Sequence, residues 1–246
     1  MAADEPPASI PPQLPRSLED ARVTSLPKSA FYIPNFITVE EEQAILSRIA
    51  TAPKPRWKQL THRRLQTWPS ELVKNALINE PLPEWLVEPV ISRLLSLEFP
   101  GDDEHGVANL FSNSPHKRPN HVLINEYPPG VVVCTVSLGS SLCLNLYRSK
   151  DDGAVDPEPV YRILQEPRSI LITTDDLYTS YLHGIADTEQ DVDLSADTVA
   201  NWDLLGSQSS FGDGRNERQM RVSLTYRDVL KVVNIGNRLN GILGRR

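Results

Sequence analysis

The feature that most constrains this chain is a change of pattern at Asn120. Beyond it come seven short apolar runs, HVLINEY, VVVCTVSLG, SLCLNLY, YRILQEP, RSILITT, YTSYLHGI and RVSLTYRDV, with Gly, Pro, Asp and Ser between them. Runs of this length bounded by turn formers predict an antiparallel β-sandwich or barrel. Upstream, AFYIPNFITVEEEQAIL predicts a short strand, a Pro-Asn turn and a helix. Thr38 is its N-cap, Glu41 takes the capping-box position, and Ile45, Leu46 and Ile49 share one face. PEWLVEPVISRLLSL predicts a second helix whose start is limited by Pro83 and Pro89, with Leu86, Val90, Leu94 and Leu97 as a core stripe. The expected fold class is therefore α+β, with N-terminal helices and a β-core.

In 246 residues this predicts one domain over 28–235 with tails on either side. Residues 1–27 are Pro-rich and poor in residues that bury well, so a disordered arm is expected there. Residues 236–246 form a C-terminal tail. The stretch 186–216 shows no periodicity and predicts a long acidic loop, functional or disordered.

Composition narrows the function. No apolar run approaches the ~20 residues needed to span a bilayer, and MAADEPPASIPPQLPRS lacks the basic start and apolar core of a leader. A soluble protein of the cytoplasm or nucleus, without a membrane partner, is expected. Cys134 and Cys143 lie in apolar runs without metal or disulfide spacing, and predict buried, reduced, inert thiols. The formal charge of −7 opposes binding of nucleic acid by bulk electrostatics. The charge is segregated, however. Gln43 to Ser70 carries no acid, and there Lys54, Arg56, Lys58, Arg63 and Arg64 interleave with Trp57 and Trp68. Ser169 to Gly214 carries nine acids and neither Lys nor Arg.

Three constellations are candidates for chemistry. Asn125 and Tyr127 sit two residues apart at a strand end, on one face. His183 lies inside an apolar strand, where a lone histidine is more often a hydrogen-bonded core residue than a ligand. Strand alternation in RVSLTYR puts Arg221, Ser223, Thr225 and Arg227 on one face and Val222, Leu224 and Tyr226 on the other. Two guanidinium forks on one strand face suit a dicarboxylate, and they equally suit an edge strand with that face in water.

Taken in order, Asn-x-Tyr, then His, then Arg-x5-Arg, with flanking segments such as FYIPNFITVEEEQAIL, APKPRWKQLTHRRLQTW, NHVLINEYPPG, VCTVSLGSSLCLNLY, EPRSILI and LYTSYLHGI, resemble the AlkB-like branch of the Fe(II)/2-oxoglutarate dioxygenases. The resemblance covers most of the chain from Ala30. It implies a double-stranded β-helix, or jelly roll, whose open end holds Fe(II) through a 2-His-1-carboxylate triad. By it, His183 is the distal iron ligand. Asn125, Tyr127, Arg221, Ser223 and Arg227 face 2-oxoglutarate, with Arg227 on its distal carboxylate. Lys54 to Trp68 is the lid over the substrate mouth, with Lys54, Arg56, Trp57, Lys58, Arg63, Arg64 and Trp68 suited to phosphates and bases; a solvated basic surface is the competing reading of the same residues. The implied chemistry consumes oxygen, converts 2-oxoglutarate to succinate and carbon dioxide, and oxidises a C–H bond, often an N-methyl group on a nucleic-acid base.

The sequence departs from the family at one place. The other two iron ligands belong to a His-x-Asp between the Pro-Gly turn and VCTVSLG, but Gly130 is followed at once by Val131. The remaining histidines, His62, His105, His116 and His121, are not followed two residues later by Asp or Glu, nor is His183. One imidazole does not hold ferrous iron tightly. This predicts a chain inactive as written. Two explanations stand: a gene-model or splicing product that lost an in-frame stretch at Gly130/Val131, or a pseudoenzyme that keeps its pocket or lid to bind nucleic acid or protein. Loss of that stretch is also expected to remove much of one β-core strand and leave its neighbours partly unpaired.

Overall fold

The computed structural model describes residues 11–27, 30–60, 63–99, 109–127, 136–148, 156–174, 177 and 180–234. Early in the chain lie strand β1 (Ala30–Ile33), helix α1 (Val39–Ala50), strands β2 (Lys58–Gln59), β3 (Arg64–Trp68) and β4 (Leu77–Ile78), and helices α2 (Glu84–Val87) and α3 (Val90–Ser96). Strands β5 (His121–Tyr127), β6 (Val136–Leu138), β7 (Leu142–Arg148), β8 (Tyr161–Gln165), β9 (Ile170–Thr173) and β10 (Tyr181–Gly184) follow. The rest are β11 (Gln190–Asp191), β12 (Asn216–Glu217), β13 (Arg221–Arg227) and β14 (Val232–Val233).

Helix α1 begins where its caps predict. Thr38 Oγ1 accepts from the Glu41 amide, and the Glu41 carboxylate accepts from the Thr38 amide at 2.7 Å. The second helix is broken in two by Pro89, which cannot donate to the preceding turn. Leu86, Val90, Leu94 and Leu97 are buried as one stripe.

The strands form a seven-stranded sheet, β1-β9-β6-β13-β5-β3-β2, and a three-stranded sheet, β10-β7-β8. Side-chain alternation shows how they pack. Phe31, Ile33, Val122, Ile124, Val136, Leu138, Ile170, Ile172, Val222 and Leu224 face a core shared with the three helices. Ala30, Tyr32 and Leu171 point the other way, into a second core with Leu142, Leu144, Leu146 and Ile163 of the smaller sheet. The large sheet is thus covered by helices on one face and by the small sheet on the other, an α+β jelly-roll architecture.

Four strands of the large sheet, β5, β6, β9 and β13, and three of the small one build the roll among the described residues. A jelly roll has eight. Both β5 and β6 pair antiparallel with β13, so they run in the same direction. Same-direction strands ordinarily need a connection of about a dozen residues or more, and here eight, 128–135, lie between Tyr127 and Val136. The junction Gly130/Val131 lies outside the described residues, as does Cys134. Cys143 is buried with a free thiol, and burial pushes that thiol up to about 11, which keeps it protonated and unreactive.

Two expectations are corrected. Residues 11–27 are not a disordered arm: Leu18, Ala21, Val23 and Leu26 are buried, and Leu18–Ala21 forms a 3-10 turn capped by Ser17. Four well-placed apolar side chains outweigh the Pro-rich composition around them; residues 1–10 lie outside the described part. Nor is 186–216 structureless. Leu194, Val199, Leu205 and Phe211 bury into the second core, and the segment is pinned by the buried Asp191. Its carboxylate accepts from Arg218 Nη2 at 2.6 Å, Asn216 Nδ2 at 2.8 Å and the Cys143 amide at 3.2 Å. At Asp191 the acidity of this segment is turned inward, onto Arg218, and not out to solvent.

Candidate functional site

The inner face of the large sheet divides into two halves. Around β1 and β9 it is apolar and closed by the small sheet. Around β6, β13 and β5 it is polar and still buried. Ser223 pairs with Asn125 on one side and Ser137 on the other, so three polar residues lie in register across three strands. None exceeds 2% exposure. Alternation forces this outcome, since burying Val222 and Leu224 against the helices turns Arg221 and Ser223 inward.

Arg221 is the cation of this face. Its Nε donates to Ser137 Oγ at 2.8 Å and its Nη2 to Gln165 Oε1 at 3.1 Å. Gln165 belongs to β8, so this contact joins the two sheets. Neither Ser137 nor Gln165 stood out in the sequence; Gln165 ends an apolar run where period-two alternation has no polar partner, and that was the only signal it carried. Asn125 Oδ1 and Gln165 Nε2 are buried polar atoms of the site with no hydrogen-bond partner among the described residues. A buried polar group without a partner costs about 1–3 kcal/mol. Arg221 and Gln165 Nε2 are donors that a carboxylate fits, so these two suit the cosubstrate of the family resemblance, whereas Asn125 Oδ1 is an acceptor and does not serve a carboxylate.

Arg227 stands six residues along the same strand, about 20 Å from Arg221 along the backbone at the strand rise. Its Nε donates to His121 Nδ1 at 3.2 Å, which requires the other ring nitrogen of a neutral His121 to carry the proton. Burial, followed by the charge of Arg227, pushes the His121 imidazole down to about 4. Unfolded, the ring takes up its proton near pH ~6.5, so stability from this site is full above that value and is lost as pH falls toward 4. Melting curves between about pH 7.5 and 4.5 are expected to fall more steeply for the parent chain than for His121→Gln, a difference of about 2 kcal/mol. Parallel curves would exclude His121 as the titrating group.

The structure brings Asn125, Arg221, Ser223 and Arg227 onto one strand pair; Tyr127 pairs with Arg221 in register. His183 is elsewhere, half-buried on β10 of the small sheet, opposite Leu146. Its Nε2 lies 2.9 Å from the Leu177 carbonyl oxygen. A nitrogen in that position carries the proton, which leaves the other ring nitrogen as the one able to take a metal. Among the described residues no group of three His, Cys, Asp or Glu side chains is placed to hold a metal ion, and the sequence supplies no His-x-Asp. The iron site of the resemblance therefore does not fit the residues present, whereas a carboxylate site at Arg221 does.

The basic segment is a hairpin, not a separate flap. Its second strand, β3, pairs with β5 over five residues. Trp68 packs on the helix-side core and meets Trp85 edge-to-face at 5.5 Å. The Arg56 guanidinium covers Trp68 at 4.1 Å and donates to the Pro69 carbonyl at 2.6 Å. Arg64 covers Trp57 at 4.0 Å and pairs with Glu126 at 2.9 Å. Lys54, Arg56, Lys58 and Arg64 are exposed, and Arg63 is intermediate. Each tryptophan thus has one face covered by an arginine of the same segment.

A helix-backed, two-sheet β-roll with a buried arginine and a row of polar residues between its sheets defines a jelly-roll protein suited to hold a small carboxylate. Comparison with known proteins gives the family. The chain is 34% identical to the Danio rerio protein named "Probable RNA/DNA demethylase ALKBH6", over 93% of this chain and 96% of that protein. The chain belongs to the AlkB-like family. No family model matches the sequence. Among solved structures, OsALKBH1 aligns with a TM-score of 0.47 at 13% identity, over 82% of this chain and 98% of its own. A C-terminally truncated protein of Neurospora crassa, solved in its apo form, aligns with a TM-score of 0.30 at 11% identity, over 82% of this chain and 83% of its own. Both scores are below 0.5, and membership rests on the sequence relative.

Proposed function

We propose that this chain is an AlkB-like dioxygenase scaffold that binds 2-oxoglutarate along β13 and, as written, does not turn it over. The observation that carries this reading is the contrast between two sets of residues. The polar face of Asn125, Ser223 and Arg221 is buried and in register with β5, while no His-x-Asp exists anywhere in the chain to join His183. In this reading Arg221 clamps one carboxylate, and Asn125, Tyr127 and Ser223 orient the chain of the cosubstrate. Arg227 addresses the other carboxylate, which requires the two long arginine side chains to lean toward each other along the strand.

In the family form the same site would serve oxidation of a C–H bond, and the name of the Danio rerio relative favours an N-methyl group on RNA or DNA. Lys54, Arg56, Lys58, Arg63 and Arg64 would then meet phosphates at the rim of the roll, with Trp57 and Trp68 supporting Arg64 and Arg56 from beneath. The exposed cations of that hairpin support a second reading, a non-catalytic module that binds nucleic acid or a protein partner through the same surface. No helix among the described residues is long and apolar enough to cross a membrane, in keeping with a proposed place in the cytoplasm or nucleus.

Isothermal titration with 2-oxoglutarate in chelator-treated buffer is expected to show saturable binding. A succinate assay with added Fe(II) is expected to show nothing above background. Absence of binding by a folded chain would sink the proposed site, and succinate formation would sink the claim of inactivity.

A further inference from the structure

We infer that Gln165 is a ligand-binding residue of this site, donating its amide N–H to the carboxylate that Arg221 clamps. The inference rests on the 2-oxoglutarate reading above and adds a residue from the opposite sheet to it. Gln165 is fully buried at the end of β8, paired in register with Leu142. Its amide orientation is fixed by chemistry. Arg221 has only donors, so the atom 3.1 Å from its Nη2 must be the oxygen Oε1. The nitrogen Nε2 is then committed to the other side, where it has no hydrogen-bond partner among the described residues.

An apolar side chain at this position would remove the unsatisfied Nε2 but take from buried Arg221 Nη2 its acceptor, so the Arg221 contact accounts for the oxygen of this glutamine and not for its N–H. Apolar neighbours are the rule on this strand: Ile163 and Leu164 fill the second core beside it. A glutamine does two things that leucine does not. It accepts from Arg221, which sets the guanidinium plane, and it presents an N–H beside the same guanidinium. Ser137 Oγ takes Nε of that group from the other side at 2.8 Å. The arginine is thus gripped by neutral oxygens from both sheets, and the amide N–H adds a donor to the charged fork. A carboxylate oxygen is the acceptor that this pair of donors fits, since a hydrogen bond between a neutral donor and a charged acceptor is stronger than one between neutral groups. Asn125 Oδ1, also buried and without a partner among the described residues, would accept from a water beside the bound ligand, since 2-oxoglutarate carries acceptors only.

The test compares the parent chain with Gln165→Met and Gln165→Glu, by calorimetry with 2-oxoglutarate in metal-free buffer and by melting temperature without ligand. Gln165→Glu keeps an oxygen for Arg221 and replaces the N–H by a second oxygen. It is expected to melt no lower than the parent and to lose detectable binding. Gln165→Met removes the donor, and with it the oxygen that accepts from Arg221, without adding charge, and is expected to weaken binding at least about tenfold, the effect of losing one charge-assisted hydrogen bond. Both losses are required. Parent-like affinity in a folded Gln165→Met overturns the inference, because it would mean that a water satisfies Nε2; if that variant does not fold, parent-like affinity in Gln165→Glu overturns it. No binding by the parent chain itself would instead overturn the 2-oxoglutarate reading on which this rests.

Discussion

Arg218→Ala is expected to destabilise the folded chain by about 3–5 kcal/mol, measured by denaturant unfolding, because it leaves the buried Asp191 carboxylate without its cationic partner. The pair is among the least exposed in the molecule, with side chains 3% and 2% exposed and Nη2 to Oδ1 at 2.6 Å. Against a total stability of about 5–15 kcal/mol, this is a large fraction. The reason to expect so much from a surface-looking acidic segment is its position. Arg218 also donates to the Ala186 carbonyl, and the hydrogen bond from the Cys143 amide to Asp191 links the segment to β7 beside the second core. Loosening it exposes Leu194, Val199 and Phe211 together. The double variant Arg218→Met with Asp191→Asn is expected to recover most of the loss, because no charge is then left buried. A single variant within about 1 kcal/mol of the parent would show that water reaches Asp191 in the folded state.

The second large effect is a gain. Inserting the family's His-x-Asp segment after Gly130 is expected to confer Fe(II)- and 2-oxoglutarate-dependent succinate formation on a chain that has none. The topology gives a physical ground beyond the missing ligands. The connection from β5 to β6 is short for two strands that run in the same direction, and the small sheet has three strands among the described residues where an eight-stranded roll has four. An insertion therefore adds ligands and lengthens the leg of the chain that is short. In the restored chain Arg227→Ala is expected to weaken 2-oxoglutarate binding by about 2–4 kcal/mol, the strength of a charged bidentate contact. A restored chain that folds and remains silent would count against the catalytic half of the proposal. Genomic DNA across Gly130/Val131 separates the two origins of the present sequence: coding sequence for His-x-Asp there excludes the pseudoenzyme.

Much of the fold was legible because local signals agreed. Thr38 and Glu41 mark a helix start by chemistry that needs no tertiary partner, and α1 begins there. Period-two alternation in RVSLTYR specified which side chains share a face, and Val222 and Leu224 do face the helix-side core. Composition misled where it averaged over a few decisive residues. The prolines of the first 27 residues hid Leu18, Val23 and Leu26, and the acids of 186–216 hid Leu194, Val199 and Phe211. In the basic segment, sequence showed cations among tryptophans, but the stacking of Arg56 on Trp68 and Arg64 on Trp57 depends on β3 joining β5, a pairing of distant parts of the chain that no local pattern encodes.

The sequence by itself determined that this chain carries the paired arginines and the Asn-x-Tyr and lacks a His-x-Asp, because residue identity alone decides which donors, acceptors and ligands exist. Only the tertiary structure decided which of them meet. Ser137 and Gln165 became part of the site through strands β6 and β8, far from β13 in sequence, since a buried guanidinium collects whatever oxygens the packing of two sheets brings within about 3 Å. His183, equally plain in the sequence, was set on the opposite sheet with its Nε2 against a carbonyl, because its strand pairs with β7.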